Sequence, residues 1–225
     1  MVIEGSHLVA AALAADIKLA ALIATEAALA KPEVAALVRR SRLEPIRVSA
    51  AVFGAIADAQ TPPGIAAEIP LPELKREGSA VFLEGIQDAG NVGAIIRSAA
   101  AFGVALVTVD RQCADPWSPK VLRAAMGGHF AIGIRQVDDL GGAISAFGGR
   151  AICTVVKDGR PLREVELSGH IGWIFGAEGA GVSPEIVSNA RERVTIPMAG
   201  GESLNVAATA AICLYEAFSR PAAGS

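Results

Sequence analysis

With 225 residues, 52% hydrophobic and 19% charged, the chain can form one large domain or two small ones around a buried core, which excludes a disordered polymer. Its formal net charge of −3 excludes the chain-wide basic footprint that drives nucleic-acid binding through counterion release, so any nucleic-acid contact has to be local.

The start, Met1-Val2-Ile3-Glu4-Gly5-Ser6-His7, lacks the positive lead of an export signal. The alanine-rich stretch after it is broken by Asp16, Lys18 and Glu26 before 18 apolar residues accumulate, so no membrane span and a cytoplasmic location are expected. Helix-like and strand-like runs then alternate over 7–15, 19–25, 32–40, 46–48, 49–58 and 64–69, with Pro32 at a first helical position and Ser49 as an N-cap. Arg39, Arg40, Arg42 and Arg47 cluster here, and a solvated face is the plainer reading of such a cluster. Pro70-Leu71-Pro72-Glu73-Leu74-Lys75-Arg76-Glu77-Gly78 has no apolar periodicity and reads as a linker. This divides the chain into 1–70, a linker at 71–78, and 79–225.

In the second part, near-continuous apolar runs at 80–83, 105–109, 131–134, 151–155, 172–175 and 193–196 predict strands of a buried, mainly parallel sheet. Helices are expected at 91–102, 118–126, 137–146, 184–190 and 203–219. The result is an α/β fold of the doubly wound kind, yet the G-x-G-x-x-G fingerprint after the first strand and a P-loop lysine are both absent, which argues against a dinucleotide enzyme. Arg97, Arg111, Lys120 and Arg123 supply local positive charge. Cys113, Cys153 and Cys213 are far apart and odd in number, so reduced thiols are expected. His7, His129 and His170 have no metal-ligand spacing with one another or with the cysteines, and no metal is assigned.

Three segments carry the chemistry: Leu83-Glu84-Gly85-Ile86-Gln87-Asp88-Ala89-Gly90-Asn91-Val92-Gly93-Ala94-Ile95-Ile96-Arg97-Ser98, Ile174-Phe175-Gly176-Ala177-Glu178-Gly179-Ala180-Gly181-Val182-Ser183, and Ile196-Pro197-Met198-Ala199-Gly200-Gly201-Glu202-Ser203-Leu204-Asn205-Val206. Each follows a strand-like run. In the third, glycines and Pro197 lead into a helix whose N-terminus offers free N–H groups and partial positive charge to a ligand.

In this order the three resemble the signature motifs of the SpoU (TrmH) family of RNA ribose 2′-O-methyltransferases, within the SPOUT superfamily, over roughly residues 79–219. The first 70 residues resemble that family's small α/β RNA substrate-binding domain, notably in Ile3-Glu4-Gly5 and Thr61-Pro62-Pro63-Gly64-Ile65. Relatives usually carry a basic segment ahead of the Glu-Gly pair. This chain starts almost on it, which suggests a short N-terminus.

The resemblance implies a SPOUT-type catalytic domain with a C-terminal trefoil knot, a homodimer, and methyl transfer from S-adenosylmethionine to a ribose 2′-hydroxyl of structured RNA. Ribosomal RNA of the 23S type is expected first, transfer RNA second; a non-catalytic RNA-binding protein of the same fold is the alternative. By motif position, Gly176, Ile196, Met198 and Leu204 are expected to bind the cofactor, and Asn91, Arg97, Glu178, Ser203 and Asn205 to form the catalytic set. Arg97 is a poor base and is read as a stabiliser of the developing alkoxide or a phosphate clamp; its alanine and isoleucine neighbours argue against a solvated face. Asn91 either caps its helix or meets substrate. Glu178 orients Arg97, binds the target nucleotide, or supports its glycine loop. Ser203 is a good N-cap for the last helix, whereas Asn205 is harder to explain by capping alone. The loop from Ile196 to Leu204 is one residue shorter than in many relatives, which implies a tighter cofactor loop.

Overall fold

The computed structural model describes residues 1–73 and 77–220. The chain divides into two compact units, Met1–Glu73 and Leu74–Ser225; of the linker expected at 71–78, residues 74–76 lie outside the described residues.

The first unit is a four-stranded sheet with helices: β1 (Val2–Glu4), α1 (Ser6–Ala14), β2 (Ala21–Thr25), α2 (Glu26–Leu29), α3 (Pro32–Ser41), β3 (Ile46–Val48), α4 (Ala50–Ile56) and β4 (Ile65–Glu68). Strand order is β1-β4-β2-β3, with only β2 and β3 parallel. Thr25 caps α2 and Ser49 caps α4 through side-chain acceptors for Ala28 N–H and Val52 N–H, while Pro32 opens α3. The sequence pattern misses β1 and α2, which are too short to show a period. The two segments that carried the N-terminal resemblance lie side by side: Gly5 N–H donates to Ile65 O at 2.9 Å, and Asp58 N–H to Glu4 Oε1 at 2.9 Å.

The second unit runs β5 (Ala80–Leu83), α5 (Ala89–Ala101), β6 (Leu106–Asp110), α6 (Pro119–Ala125), β7 (Gly133–Val137), α7 (Leu140–Ser145), β8 (Arg150–Thr154), β9 (Arg160–Pro161), β10 (Ile171–Phe175), α8 (Pro184–Asn189), β11 (Glu192–Thr195) and α9 (Val206–Ser219). Among the described residues its sheet has seven strands in the order β7-β6-β5-β10-β8-β11-β9, every pair parallel. Alternate side chains of each strand go to opposite faces. Val81, Leu83, Trp173 and Phe175 join one core with α5, α6 and α9, and Ala80, Phe82 and Ile174 join another with α7 and α8. Helices on both faces explain why the strands read as unbroken apolar runs.

Several boundaries differ from the sequence reading. A 3-10 turn at Gly128–Phe130, with Ala131 as its C-terminal cap, runs up against the strand expected at 131–134, so β7 begins only at Gly133. Asp139 caps α7 by accepting Gly142 N–H, which leaves Val137 to β7. The last helix starts at Val206 rather than at 203. One glycine sets the packing of α5 on α6: a Cβ at Gly93 would lie 2.4 Å from Ala124 Cβ and 2.8 Å from Val121 O, so only glycine permits the approach.

Candidate functional site

In open parallel sheets, ligands bind outside the C-terminal ends of the strands, where the loops diverge. At that edge of the second unit lies a cavity of about 590 Å³, walled by 154–156 at the end of β8, 176–182 after β10, 194–196 and Met198 at and beyond the end of β11, and 203–206 with Thr209 at the mouth of α9. Its walls mix apolar side chains (Val155, Ile196, Met198, Leu204) with hydroxyls, amides and loop backbone. That mixture and volume suit a drug-sized ligand with an apolar body and a hydrogen-bonding edge. All four expected cofactor residues, Gly176, Ile196, Met198 and Leu204, line it, as do Glu178, Ser203 and Asn205. The sequence reading missed Thr154, Val155, Val156, Thr195 and Thr209, which also line it; their signal is position at the ends of predicted parallel strands or in the first turn of a helix.

Tertiary structure joins the three motifs through one side chain. Asn205 Oδ1 accepts from Ala207 N–H at 2.9 Å and Ala208 N–H at 3.2 Å, capping α9. Its Nδ2 donates to Asn91 Oδ1 at 3.0 Å and to Glu178 Oε1 at 2.8 Å. The amide thereby uses both donors and its acceptor, so neither capping nor ligand contact alone accounts for asparagine here.

Three expectations are corrected. Asn91 is not the cap of α5: Asp88 is, with Oδ1 accepting Asn91 N–H at 2.8 Å. That leaves the Asn91 side chain one turn in, turned to Asn205. Ser203 is not the cap of α9 either; it sits exposed on the cavity wall, two residues before the true cap. Arg97, expected to avoid a solvated face, is exposed. Its neighbours Ile95, Ile96 and Ala99 are buried, but the helical period turns position 97 away from them. Among the described residues the Arg97 side chain makes no hydrogen bond or ion pair, and it does not line the cavity. Glu178 accordingly makes no bond to Arg97 among the described residues; its Oε1 accepts from Asn205 Nδ2 instead.

The supports behind the site are buried. Asp110 Oδ1 and Oδ2 accept Gly85 N–H at 3.2 and 3.1 Å, and Oδ1 also takes Gln112 and Cys113 N–H, which fixes the turn leading to α5. Burial pushes the Cys113, Cys153 and Cys213 thiols up to about 12, so at neutral pH they are protonated and poor nucleophiles. No group of three or more metal-ligating side chains occurs among the described residues.

His129 lies in the 3-10 turn that packs on α5 at Ile96 and Arg97. It is fully buried, with Nε2 2.7 Å from Pro116 O. Burial pulls its pKa down to about 4 against the weaker opposing pull of that carbonyl. A folded-state value below the ordinary 6.5 contributes stability that is complete above pH 6.5 and lost as pH falls through 4. The loss is at most about 3 kcal/mol. Urea unfolding at pH 7.5, 5.5 and 4.5 is expected to show this slope, flattened in His129→Gln, which retains an N–H for the Pro116 carbonyl.

The sequence model of the SpoU rRNA Methylase family matches residues 78–215, and that of the MRM3-like substrate binding domain matches residues 1–67. Over 168 residues, 72% of this chain and 68% of the relative, the sequence is 34% identical to the 23S rRNA (guanosine(2553)-2′-O)-methyltransferase RlmP of Bacillus subtilis. The aligned part spans between 57% and 68% of the length of the curated relatives it matches. An AdoMet-bound rRNA methyltransferase from Sinorhizobium meliloti superposes with TM-score 0.77 at 28% identity, covering 96% of this chain and 85% of that one. The SpoU methyltransferase AviRb from Streptomyces viridochromogenes, crystallised with AdoMet, has the same fold: TM-score 0.85 at 22% identity, covering 97% and 89%.

Proposed function

Because the chain belongs to the SpoU rRNA methylase family, we propose that it transfers a methyl group from S-adenosylmethionine to a ribose 2′-hydroxyl of 23S-type ribosomal RNA. The observation that carries this reading is the Asn205 amide, which ties Asn91 and Glu178 of two other motifs together at the rim of the cavity.

When bound, S-adenosylmethionine supplies an electrophilic methyl on a sulfonium. The backbone of the loops at Gly176 and Ile196 offers hydrogen bonds to the edge of an adenine, and Val155, Met198 and Leu204 offer cover for its faces. Asn91, Glu178 and Asn205 form the polar rim that receives the target nucleotide, with Ser203 beside it. Arg97, permanently cationic, stabilises the negative charge developing on the 2′-oxygen or clamps a neighbouring phosphate. Its exposure on α5 leaves the guanidinium available for that role.

The proposal includes a homodimer. Tyr215 and Phe218 are 55% and 64% exposed on α9 and pack on Phe102 at 5.9 and 5.7 Å between ring centroids, and Ile212 extends the same exposed apolar face. Faces of this kind mark protein contacts. A C-terminal trefoil knot belongs to the same proposal, supported by the sheet order in which β11 lies between β8 and β9. Among the described residues no helix is long and apolar enough to cross a membrane, and we assign the activity to the cytoplasm.

The test is incubation with methyl-labelled S-adenosylmethionine and unmodified ribosomal or transfer RNA, followed by alkaline hydrolysis. Label in alkali-resistant dinucleotides from ribosomal RNA is the expected result. Label in mononucleotides means base methylation, and label only with transfer RNA moves the substrate. No label with either RNA favours a binding protein of this fold. Asn205→Asp gives a sharper check, because aspartate still caps α9 but cannot donate to Asn91 and sets a second carboxylate against Glu178. Urea stability within about 1 kcal/mol of the parent and transfer reduced by about 100-fold are expected together.

A further inference from the structure

We propose that Glu84, which lies outside the cavity, is the positioning residue that fixes the shape of the glycine loop 176–182 and thereby sets cofactor affinity. This rests on reading the cavity as the S-adenosylmethionine site.

Glu84 follows β5 directly and grips both ends of that loop. Its backbone N–H donates to Phe175 O at 3.0 Å, where β10 ends. Its carboxylate closes the other end: Oε2 accepts Ser183 N–H at 2.7 Å and Oε1 accepts the Ser183 hydroxyl at 2.6 Å. Ser183 Oγ in turn accepts Ile186 N–H at 3.3 Å and caps α8. One half-buried residue thus pins positions 175 and 183, and all seven residues between them line the cavity. Within the loop, Gly181 N–H to Ala177 O at 2.8 Å leaves much of the remaining shape to these end constraints.

The chemistry favours a carboxylate. Ser183 presents two donors to Glu84, and each carboxylate oxygen takes one of them. An amide in the same pose sets its oxygen against one donor and its NH2 against the other, and keeps both bonds only if the hydroxyl turns from donor to acceptor beside Ile186 N–H. Bonds of this charge-assisted kind are also the stronger class. Freeing one end of a short loop returns conformational entropy that ligand binding must then remove.

The test uses the full chain. In the ligand-free protein, Glu84→Ala is expected to speed amide hydrogen exchange across 176–183 by about 10-fold or more while β5 keeps its protection. Calorimetry is expected to show S-adenosylmethionine affinity falling about 10-fold in Glu84→Ala and less in Glu84→Gln. kcat at saturating cofactor should stay within about threefold, since the loss is in ground-state binding. Ser183→Ala is expected to weaken binding, Ser183→Thr to restore it, and the double variant Glu84→Ala/Ser183→Ala to be no worse than Glu84→Ala alone, as for one shared interaction. If Glu84→Ala does not fold, Glu84→Gln and the Ser183 variants carry the same readouts. Unchanged exchange across 176–183, affinity within twofold of the parent, or additive losses would overturn the proposal. A parent protein that fails to bind S-adenosylmethionine, with exchange still raised in the variants, would instead overturn the cofactor assignment and leave the clamp standing.

Discussion

Arg97→Ala is expected to reduce methyl transfer by about 1,000-fold while S-adenosylmethionine affinity stays within about twofold of the parent. Arg97 does not line the cavity, so its loss leaves the cofactor walls intact. Its side chain is exposed on α5 and makes no hydrogen bond or ion pair among the described residues, so its loss removes no polar support of the fold. Any large effect must therefore arise where RNA and charge meet. Lysine at this position keeps the charge but not the planar fork of donors, and is expected to restore activity only in part. Cofactor titration by calorimetry beside single-turnover transfer separates the outcomes. Equal loss of both would place Arg97 in cofactor binding and contradict its assignment.

Gly176→Ala is expected to weaken cofactor binding by about 10- to 100-fold, the equivalent of the 1–3 kcal/mol that overpacking costs. A Cβ at Gly176 would lie 2.2 Å from both the carbonyl carbon and oxygen of Gly181 and 2.3 Å from Val182 N. All three are backbone atoms, so no side-chain rotation relieves the clash, and the loop itself has to move. Gly200 on the neighbouring loop supplies the control: a Cβ there meets nothing within 4 Å, and its φ lies outside the left-handed range. Gly200→Ala is expected to bind S-adenosylmethionine like the parent. Equal behaviour of the two variants in calorimetry and thermal unfolding would mean that the shape of the Gly176 loop does not govern the site.

Much of the catalytic half is legible in the sequence because a sheet covered on both faces needs uninterrupted apolar strands. The strand at Ala80–Leu83 is read to the residue, and β10 and β8 to within one position at each end. Misreadings fall where a polar cap competes with a pattern. Asp88, Asp139 and Asn205 start α5, α7 and α9, while hydrophobic spacing alone places those starts at Asn91, Val137 and Ser203. A cap is defined by a hydrogen bond to a backbone N–H two or three residues on, which spacing does not reveal when several polar residues stand near the helix start. The two-residue β9 has no periodicity to detect.

The order of the strand-linked motifs, the glycines that let loops turn tightly, and the residue types able to bind an adenine and face a ribose are properties of the chain itself, because each depends on local backbone freedom or on a side chain's own chemistry. What only the tertiary structure decides is which of these groups meet. Asn91 and Asn205 are 114 residues apart in sequence, and Glu84 and Ser183 are 99 apart. Their contacts exist because β5 and β10 are neighbours in the sheet and because α9 packs against α5. Hydrogen bonds act over about 3 Å, and sequence separation carries no information at that range until the sheet order has been chosen.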